Sequence, residues 1–458
     1  VTTRPPAPTI AAIATAPGRG GVGIVRVSGA ADRVDAIARG IVGQVPPPRV
    51  ATTATFRGAK GEPLDQGLAL LFPAPRSYTG ETVLELHGHG SPAALALVLA
   101  RCVELGARLA EPGEFTKRAF LAGKLDLAQA EGVADLIDAA SAGAARAAAR
   151  SLTGAFSREV QRIVDEVTEL RALVEAALDF PDEDVDIVRA SDAAAALART
   201  RASLDHLAAR ASAGVRLARG LVVALVGRPN VGKSSLMNRL ARDDVAIVTP
   251  VPGTTRDTIE RTIEIAGIAL TLIDTAGLRA TDDPVERLGI DRARAAIARA
   301  DAVVVLVDAR DDAGRPGAQE RAILDTLPAG LRRIVVRNKA DLAGEEPGLS
   351  TDGDASCITL SALTGDGVDL LERELAGLAG AEAAGEDAFT ARARHVDALA
   401  RAAAHLDAAA AHLAVRAPPL ELYAEELRGA QDALGSITGA VSADDLLGEI
   451  FSRFCIGK

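Results

Sequence analysis

Residues 221–235 read Leu221-Val222-Val223-Ala224-Leu225-Val226-Gly227-Arg228-Pro229-Asn230-Val231-Gly232-Lys233-Ser234-Ser235, and this stretch decides the fold. Leu221 to Val226 is an unbroken apolar run, suited to a parallel strand buried on both faces. Gly227 to Ser234 fits G-x-x-x-x-G-K-[ST], a loop whose backbone N–H groups cradle phosphates. Ser235 to Leu240 then opens a helical pattern, so the loop lies between strand and helix as that motif requires. Helix N-terminal N–H groups point at anionic oxygen. Lys233 is expected to reach the β- and γ-phosphates, and the Ser234 hydroxyl to hold Mg²⁺.

Working outward, the region from Arg216 to about Glu382 alternates strand and helix patterns: LVVALV, the helix after the loop, ALTLID, VERLGIDRARAAIARA, AVVVLVD and RRIVVRN. That alternation predicts a doubly wound α/β domain. On either side, about Leu125–Ala213 and Gly380–Leu447, the chain is rich in Ala, Leu, Glu and Arg with helical spacing. Phe180-Pro181-Asp182-Glu183-Asp184 interrupts the first of these as an acidic turn, because Pro181 disfavours helix at Phe180. The simplest architecture is one all-α domain in two segments with the α/β domain inserted between them. Residues 1 to about 120 mix short strands (Ile10–Ala14, Gly23–Val27, Val83–Leu86) with a helix over Ala93–Leu105. Gly18 to Gly23 matches G-x-G-x-x-G, but IVRVSG follows as a strand where a dinucleotide fingerprint must open a helix. A glycine-rich hairpin leading into a strand that carries Arg26 is the better reading. The expected boundaries are 1–122, 123–214, 215–382 and 383–458.

The 458 residues allow two to four domains. With 48% hydrophobic and 25% charged residues, the chain is globular rather than disordered. Aromatics are 2% with no Trp, so the cores must rest on Leu, Val, Ile and Ala. A net charge of -11 argues against nonspecific nucleic-acid binding by the whole surface, though not against a local RNA contact. No apolar run is long enough for a membrane span, and VTTRPPAPTI has Pro where a signal peptide needs its apolar region. Cys102, Cys357 and Cys455 are far apart and odd in number, which suits a reducing cytosol rather than disulfides or a zinc site. A cytoplasmic protein with no membrane partner is expected.

Three downstream stretches fall in the order a small GTPase requires. Asp274-Thr275-Ala276-Gly277 ends ALTLID; the Asp can hold Mg²⁺ through water and the Gly277 N–H can sense the γ-phosphate. Asn338-Lys339-Ala340-Asp341 ends RRIVVRN; the Asp341 carboxylate can accept from both N1–H and the exocyclic amine of guanine, which adenine does not offer in those places. Ser361-Ala362-Leu363 follows a third strand, where a backbone N–H can meet the guanine O6. All three sit at carboxyl ends of strands, where open α/β sheets bind ligands. Between them, Thr249-Pro250-Val251-Pro252-Gly253-Thr254-Thr255 occupies the place of a mobile loop that closes over Mg²⁺, with Thr255 the candidate ligand. Leu278 follows Gly277 where Ras-type enzymes carry a water-orienting Gln. Glu286 is the candidate replacement, although a solvated surface Glu explains it as well.

GRPNVGKSS, TPVPGTTRD, DTAG and NKAD resemble the TrmE–Era–EngA–YihA–septin group of P-loop GTPases. GRGGVGIVRVSG, EPGEFTKRAFLAGKLDLAQAEGVADLI at 111–137 and the terminal FCIGK narrow the resemblance to the MnmE (TrmE) family of tRNA-modification GTPases, over essentially the full length. The family implies an N-terminal α+β folate-binding and dimerising domain (1–122), a split helical domain and an inserted Ras-like G domain. It implies a homodimer that works with an FAD-carrying flavoprotein (MnmG/GidA-like) in a heterotetramer-type complex, FAD being on the partner only. Together they place a (carboxymethyl)aminomethyl-type group on C5 of the wobble uridine of certain tRNAs, using a tetrahydrofolate one-carbon unit. By matched stretch, the folate contacts fall on Arg26, Glu85, Lys124 and Lys458, with Glu81 close enough to compete for the role of Glu85. On its own, Arg26 on a strand would read as half of a surface ion pair.

The resemblance also implies a K⁺ site at Asn230, the carbonyls of Thr249 and Val251, and Thr254. That cage offsets charge between the phosphates, activates hydrolysis and favours G-domain pairing. Cys455-Ile456-Gly457-Lys458 is not a prenylation box, since Gly457 is not aliphatic. Cys455 is a candidate nucleophile in the uridine chemistry, and an accessory cysteine explains it equally. Two departures stand out: Ala280 after Arg279 where the family often has Glu, and Pro250 and Pro252, which stiffen the switch stretch. Two other functions compete. A ribosome-assembly GTPase that binds RNA would carry a KH-like module or a second G domain, and neither is present in the sequence. A purely regulatory switch would leave tRNA unaltered.

Overall fold

The computed structural model describes residues 7–179, 190–241, 260–274, 299–311, 331–352, 355–378, 387–415, 419–441, 444–452 and 454–457. It divides into two units, Val1–Ala134 with Leu434–Lys458, and Asp135–Ala433. It is a multidomain protein of α/β plus all-α parts.

The first unit begins β1 (Ile10–Ile13), β2 (Gly20–Gly29), α1 (Ala31–Val42), β3 (Thr52–Arg57), β4 (Pro63–Phe72), β5 (Thr82–Gly90), α2 (Pro92–Glu104), β6 (Arg108–Leu109), α3 (Glu114–Leu121) and α4 (Leu127–Asp138). Its sheet runs β3-β4-β5-β2-β1-β6. Only the β1–β6 pairing is parallel. The glycine run sits in β2 itself, with a register irregularity between Gly20 and Gly23, and no helix follows it. In α1 the buried residues are Val34, Ile37, Ala38 and Ile41, the i, i+3, i+4, i+7 spacing of a core-facing stripe. They pack with Leu95, Val98 and Cys102 of α2 onto Val25, Val27, Leu84 and Leu86. Each such Val, Ile or Leu contributes about 1.5–3 kcal/mol on burial. Burial also pushes the Cys102 thiol up to about 12.

The second unit carries α5 (Ala142–Leu152), α6 (Ala155–Asp179) and α7 (Ala190–Arg219). The Ser141 hydroxyl caps α5 by accepting from the Ala144 N–H at 3.1 Å. Loss of such a cap costs about 1 kcal/mol. Only Gly220 separates α7 from β7 (Leu221–Val226). Then come α8 (Lys233–Leu240), β8 (Glu260–Ile265), β9 (Ile268–Asp274), β10 (Ala302–Asp308), β11 (Arg332–Asn338), α9 (Ala340–Ala343), β12 (Gly348–Asp352), β13 (Ala355–Thr359) and α10 (Val368–Leu378). The sheet order is β12-β13-β11-β10-β7-β9-β8. The five inner strands are parallel, and β8 and β12 are antiparallel edges. Every residue of β10 is buried, as its apolar run requires. Helix α8 begins at Lys233, one turn-residue pair earlier than the apolar pattern indicates, because the phosphate-loop motif runs into its first turn.

After 378 the described chain resumes at Asp387 and enters α11 (Ala393–Leu413), which packs on α7; α12 (Leu420–Thr438) follows. The resuming segment is tightly held. The Ser151 hydroxyl donates to Thr390 O at 3.0 Å and accepts from Thr390 N at 2.9 Å. Phe389 stacks on Phe156 with centroids 4.8 Å apart. Finally α13 (Asp444–Ser452) returns to the first unit, where Leu447, Ile450, Phe451 and Phe454 pack on Leu127 and Ala130. The acidic turn expected at Phe180–Asp184 lies outside the described residues. Among the described residues no helix is long and apolar enough to cross a membrane.

Candidate functional site

Strand β7 ends at Val226, and residues 227–232 turn over the carboxyl edge of the sheet into α8. Asn230 and Gly232 both have positive φ, 63° and 100°. A Cβ on Gly232 would also lie 2.2 Å from Asn338 Nδ2, so any larger residue would displace the Asn338 amide. Lys233 is buried, and its Nζ donates to the carbonyls of Gly227 (2.6 Å) and Arg228 (3.0 Å). The ammonium thus lies folded against the loop whose phosphate it is expected to hold. Ser234 and Ser235 are exposed at the start of α8. Asp274, at the end of β9, is buried and pairs in register with Leu225 of β7. An exposed serine hydroxyl at the start of α8 and a buried carboxylate at the end of β9 are hard oxygen donors of the kind Mg²⁺ takes.

The residues expected to read the base close the same edge. Asn338 is buried, donates from Nδ2 to Val231 O at 2.7 Å, and accepts at Oδ1 from the Ala362 N–H at 2.9 Å. One side chain therefore ties the phosphate loop to two further strand ends. The Ser361 N–H goes to Asp366 O at 2.9 Å, while Leu363 is exposed. Ala340 is buried and Asp341 is exposed in α9. Lys339 has φ 69°, and its Nζ bonds Asp308 Oδ2 at 2.8 Å. Arg310 grips the same carboxylate with Nε (2.9 Å) and Nη2 (2.7 Å). Arg310 first, then Lys339, hold the Asp308 carboxyl well below the usual carboxylate range despite its burial. Sequence reasoning missed Asp308 and Arg310; the only signal was an Asp closing the buried AVVVLVD run with an Arg two residues on. Thr249, Pro250, Val251, Pro252, Gly253, Thr254, Thr255, Thr275, Ala276, Gly277, Leu278 and Glu286 lie outside the described residues.

In the first unit, strand register builds a second constellation. Val25 opposes Leu86 and Val27 opposes Leu84 on the core face, so Arg26 and Glu85 oppose one another on the other face. Arg26 Nε donates to Glu85 Oε1 at 2.9 Å, and His87 Nε2 lies 3.0 Å from Glu85 Oε2. The Arg26 guanidinium stands 5.6 Å from the Tyr78 ring centroid and 5.7 Å from that of Phe115. Its Nη1 also reaches Gly457 O at 3.4 Å. That last segment is held by a bridge between Pro112 and Ile456 and by Gly113 N–H donating to Cys455 O at 3.4 Å. Gly457, φ 98°, comes so near that a Cβ would lie 2.1 Å from Ile13 O. The Cys455 thiol is exposed.

Glu81 is engaged elsewhere. It accepts from the Ser28 hydroxyl (2.7 Å) and from Arg118 (2.8 Å). Arg118 continues to Glu114 Oε1 at 2.7 Å, and Arg108 clasps both Glu114 oxygens at 2.6 and 2.8 Å. Burial pushes the Glu114 carboxyl up, but Arg108, the Glu111 N–H and Arg118 outweigh it and hold it at about 2. Lys124 is exposed, its stem 3.6 Å from where a Cβ on Gly80 would stand. Gly80, Glu81, Arg108, Lys117 and Arg118 line a cavity of about 640 Å³. The structure thus joins Arg26, Glu85 and Gly457, and leaves Lys124 by the rim of that separate cavity. Lys458 lies outside the described residues.

Two family models match this chain: the GTP-binding protein TrmE N-terminus over residues 9–124, and the MnmE helical domain over residues 127–455. The tRNA modification GTPase MnmE of Chromobacterium violaceum is 56% identical over 450 residues, 98% of each chain. Its namesake from Thiobacillus denitrificans is 57% identical over 455 residues, 99% of each. That of Neisseria meningitidis serogroup C is 55% identical over 451 residues, 98% of this chain and 99% of the relative.

Proposed function

Because the chain belongs to the MnmE (TrmE) family of tRNA-modification GTPases, we propose that it hydrolyses GTP to drive modification of the wobble uridine in tRNA. The observation that carries this reading is Asn338, which joins the phosphate loop at Val231 to the 361–363 turn at Ala362. Phosphate and base recognition then share one buried side chain, and Asp341 is exposed where a guanine edge can reach its carboxylate. Lys233 exchanges its two carbonyl partners for phosphate oxygens. Ser234 and Thr255 supply oxygens for Mg²⁺, with Asp274 behind them. Asn230, Thr249, Val251 and Thr254 supply oxygens for K⁺, and Glu286 orients the water that Leu278 cannot.

The finer chemistry is part of the same proposal. A tetrahydrofolate one-carbon derivative lies against Arg26, Glu85, Lys124 and Lys458 of the 1–122 domain. Arginine beside aromatic rings suits an aromatic, carboxylate-bearing ligand. The protein acts in the cytoplasm as a homodimer with an FAD-dependent flavoprotein. The product is a (carboxymethyl)aminomethyl-type group on C5, and Cys455 supplies a thiol near the reacting centre. The domain boundaries 123–214, 215–382 and 383–458 belong to this reading.

The test is nucleoside mass spectrometry of tRNA from cells with and without the protein. Loss of a C5-modified wobble uridine, restored by the parent and not by Asp341→Asn, supports the proposal. Unaltered tRNA rejects it. The K⁺ assignment is tested apart, by GTPase rates in KCl and NaCl at equal ionic strength; equal rates in both salts reject the cage.

A further inference from the structure

The second unit holds a cavity of about 600 Å³ whose lining includes Arg150, Arg158, Arg162, His206, Arg210 and Glu159. It lies between α5, α6 and α7, against the segment at Asp387–Phe389 that leads into α11. Four arginines share this space in a chain of net charge -11. Two of them are neutralised in part. Arg162 pairs with Glu166 at 2.6 Å and Glu159 at 3.3 Å, and Arg210 lies 3.7 Å from Glu159. The other two have carbonyl partners only. Arg150 Nε donates to Ala388 O at 2.7 Å, and Arg158 Nη1 to Thr153 O at 2.8 Å. Neither meets a carboxylate among the described residues. Arg158 also stands in the first turn of α6, where the helix dipole disfavours a cation. Helix stability therefore does not account for it.

The arrangement is also stiff. The Arg210 guanidinium sits 4.9 Å from the Phe389 ring centroid, and its Nη2 donates to Asp387 O at 3.1 Å. An arginine fixed by stacking loses little freedom on binding, and its remaining donors match a phosphate in a fork geometry. A concave site with surplus arginine charge takes a projecting phosphate better than a flat acidic protein surface does.

We propose that this arginine cavity is a docking site for backbone phosphate of the tRNA on which the protein acts. The inference rests on the tRNA reading above and adds to it a contact outside the nucleotide and folate sites. Since Arg150 and Arg210 also hold the carbonyls of Ala388 and Asp387, bound RNA would press on the segment by which the chain leaves the seven-stranded domain.

The experiment is anisotropy of labelled, unmodified tRNA titrated with the full chain across a series of KCl concentrations. Arg158→Glu and Arg162→Glu are each expected to weaken binding roughly tenfold and to lower the salt slope by about one. Arg158→Lys is expected to recover most of the affinity, and tRNA-free GTP hydrolysis to stay at the parental rate. Parental affinity and slope in both charge-reversed variants overturn the proposal. So does a variant that loses inorganic phosphate, or the flavoprotein, while holding tRNA as the parent does. The two readings fail separately: a C5-modified wobble uridine that persists in cells without the protein rejects the function, whereas two charge-reversed variants that bind tRNA normally and still restore the modification reject only the cavity.

Discussion

The two sheets present their candidate ligand groups in opposite ways. The seven-stranded sheet offers them at strand ends: Asp274 closes β9, Asn338 closes β11, and residues 227–232 follow β7. The six-stranded sheet offers them on a strand face, Arg26 opposite Glu85 with His87 two residues along. A site at strand ends depends on loops, and the core beneath it keeps its packing when the loops change. A site on a face shares its register with the core, so a one-residue slip would bury Arg26 and expose Val25 and Val27. The first arrangement suits a nucleotide pocket that must open and close; the second suits a ligand held on a fixed surface.

The sharpest way to test the strand-end site is Asp341→Asn. It should lower GTP affinity roughly a thousandfold and raise affinity for xanthosine triphosphate, because an amide donates where the carboxylate accepted. Calorimetry with both nucleotides decides it, and parental GTP affinity would move the base site elsewhere. Next in size, Glu286→Ala should bind GTP normally and hydrolyse it about a hundredfold more slowly in single turnover. An unchanged rate would return water positioning to another group.

On the strand face, Arg26→Ala should weaken binding of a formyl-tetrahydrofolate roughly tenfold and leave GTP hydrolysis at the parental rate. Equal folate affinity by calorimetry would remove Arg26 from the site. If GTP hydrolysis fell in parallel, the two sites would not be separable and the comparison itself would break.

The smallest effect expected concerns acid stability of the first unit. The Glu114 carboxyl, at 4.5 when unperturbed, is held at about 2 in the fold. Its contribution is therefore complete above the unfolded value and is lost as pH falls through the folded one. Glu114→Gln should flatten this part of the acid limb. The chain has two tyrosines and no Trp, with Tyr78 in the first unit and Tyr423 in the second, so Tyr423→Phe isolates the signal of the first. That change should itself be nearly neutral, because the buried Tyr423 hydroxyl finds no hydrogen-bond partner among the described residues. A near-ultraviolet acid titration that Glu114→Gln leaves unaltered in this background would show the network to be inert.

How much of this was legible depended on how local each feature is. LVVALV, AVVVLVD and RRIVVRN coincide with β7, β10 and β11 end to end: the first two are apolar runs buried almost throughout, and the third buries alternate residues around Ile334 and Val336. The edge strands β3 (TTATFR) and β8 (ERTIEI) mix polar and half-buried residues and carry no such signal. Arg26 could be placed on a strand, but its pairing with Glu85 needs the register of a strand 59 residues away. The Arg108–Glu114–Arg118–Glu81 network joins a short strand, a helix and the turn before β5, and the arginine cavity joins three helices, so no single stretch of sequence announces either. Bonds from Asn338 to Val231 and Ala362 likewise follow from strand order, not from spacing.

The divided first unit has a consequence for synthesis. Leu127 and Ala130 are made early, but Leu447, Ile450, Phe451 and Phe454, which cover them, come after the whole second unit. At ribosomal rates of about 5–20 residues per second, roughly 300 intervening residues leave that apolar patch bare for about 15–60 s. The second unit is contiguous in sequence and can fold while the first still waits. The newborn chain therefore passes through an obligatory interval with one unit closed and the other open to aggregation, and a chaperone acting on this protein would have its task at that patch.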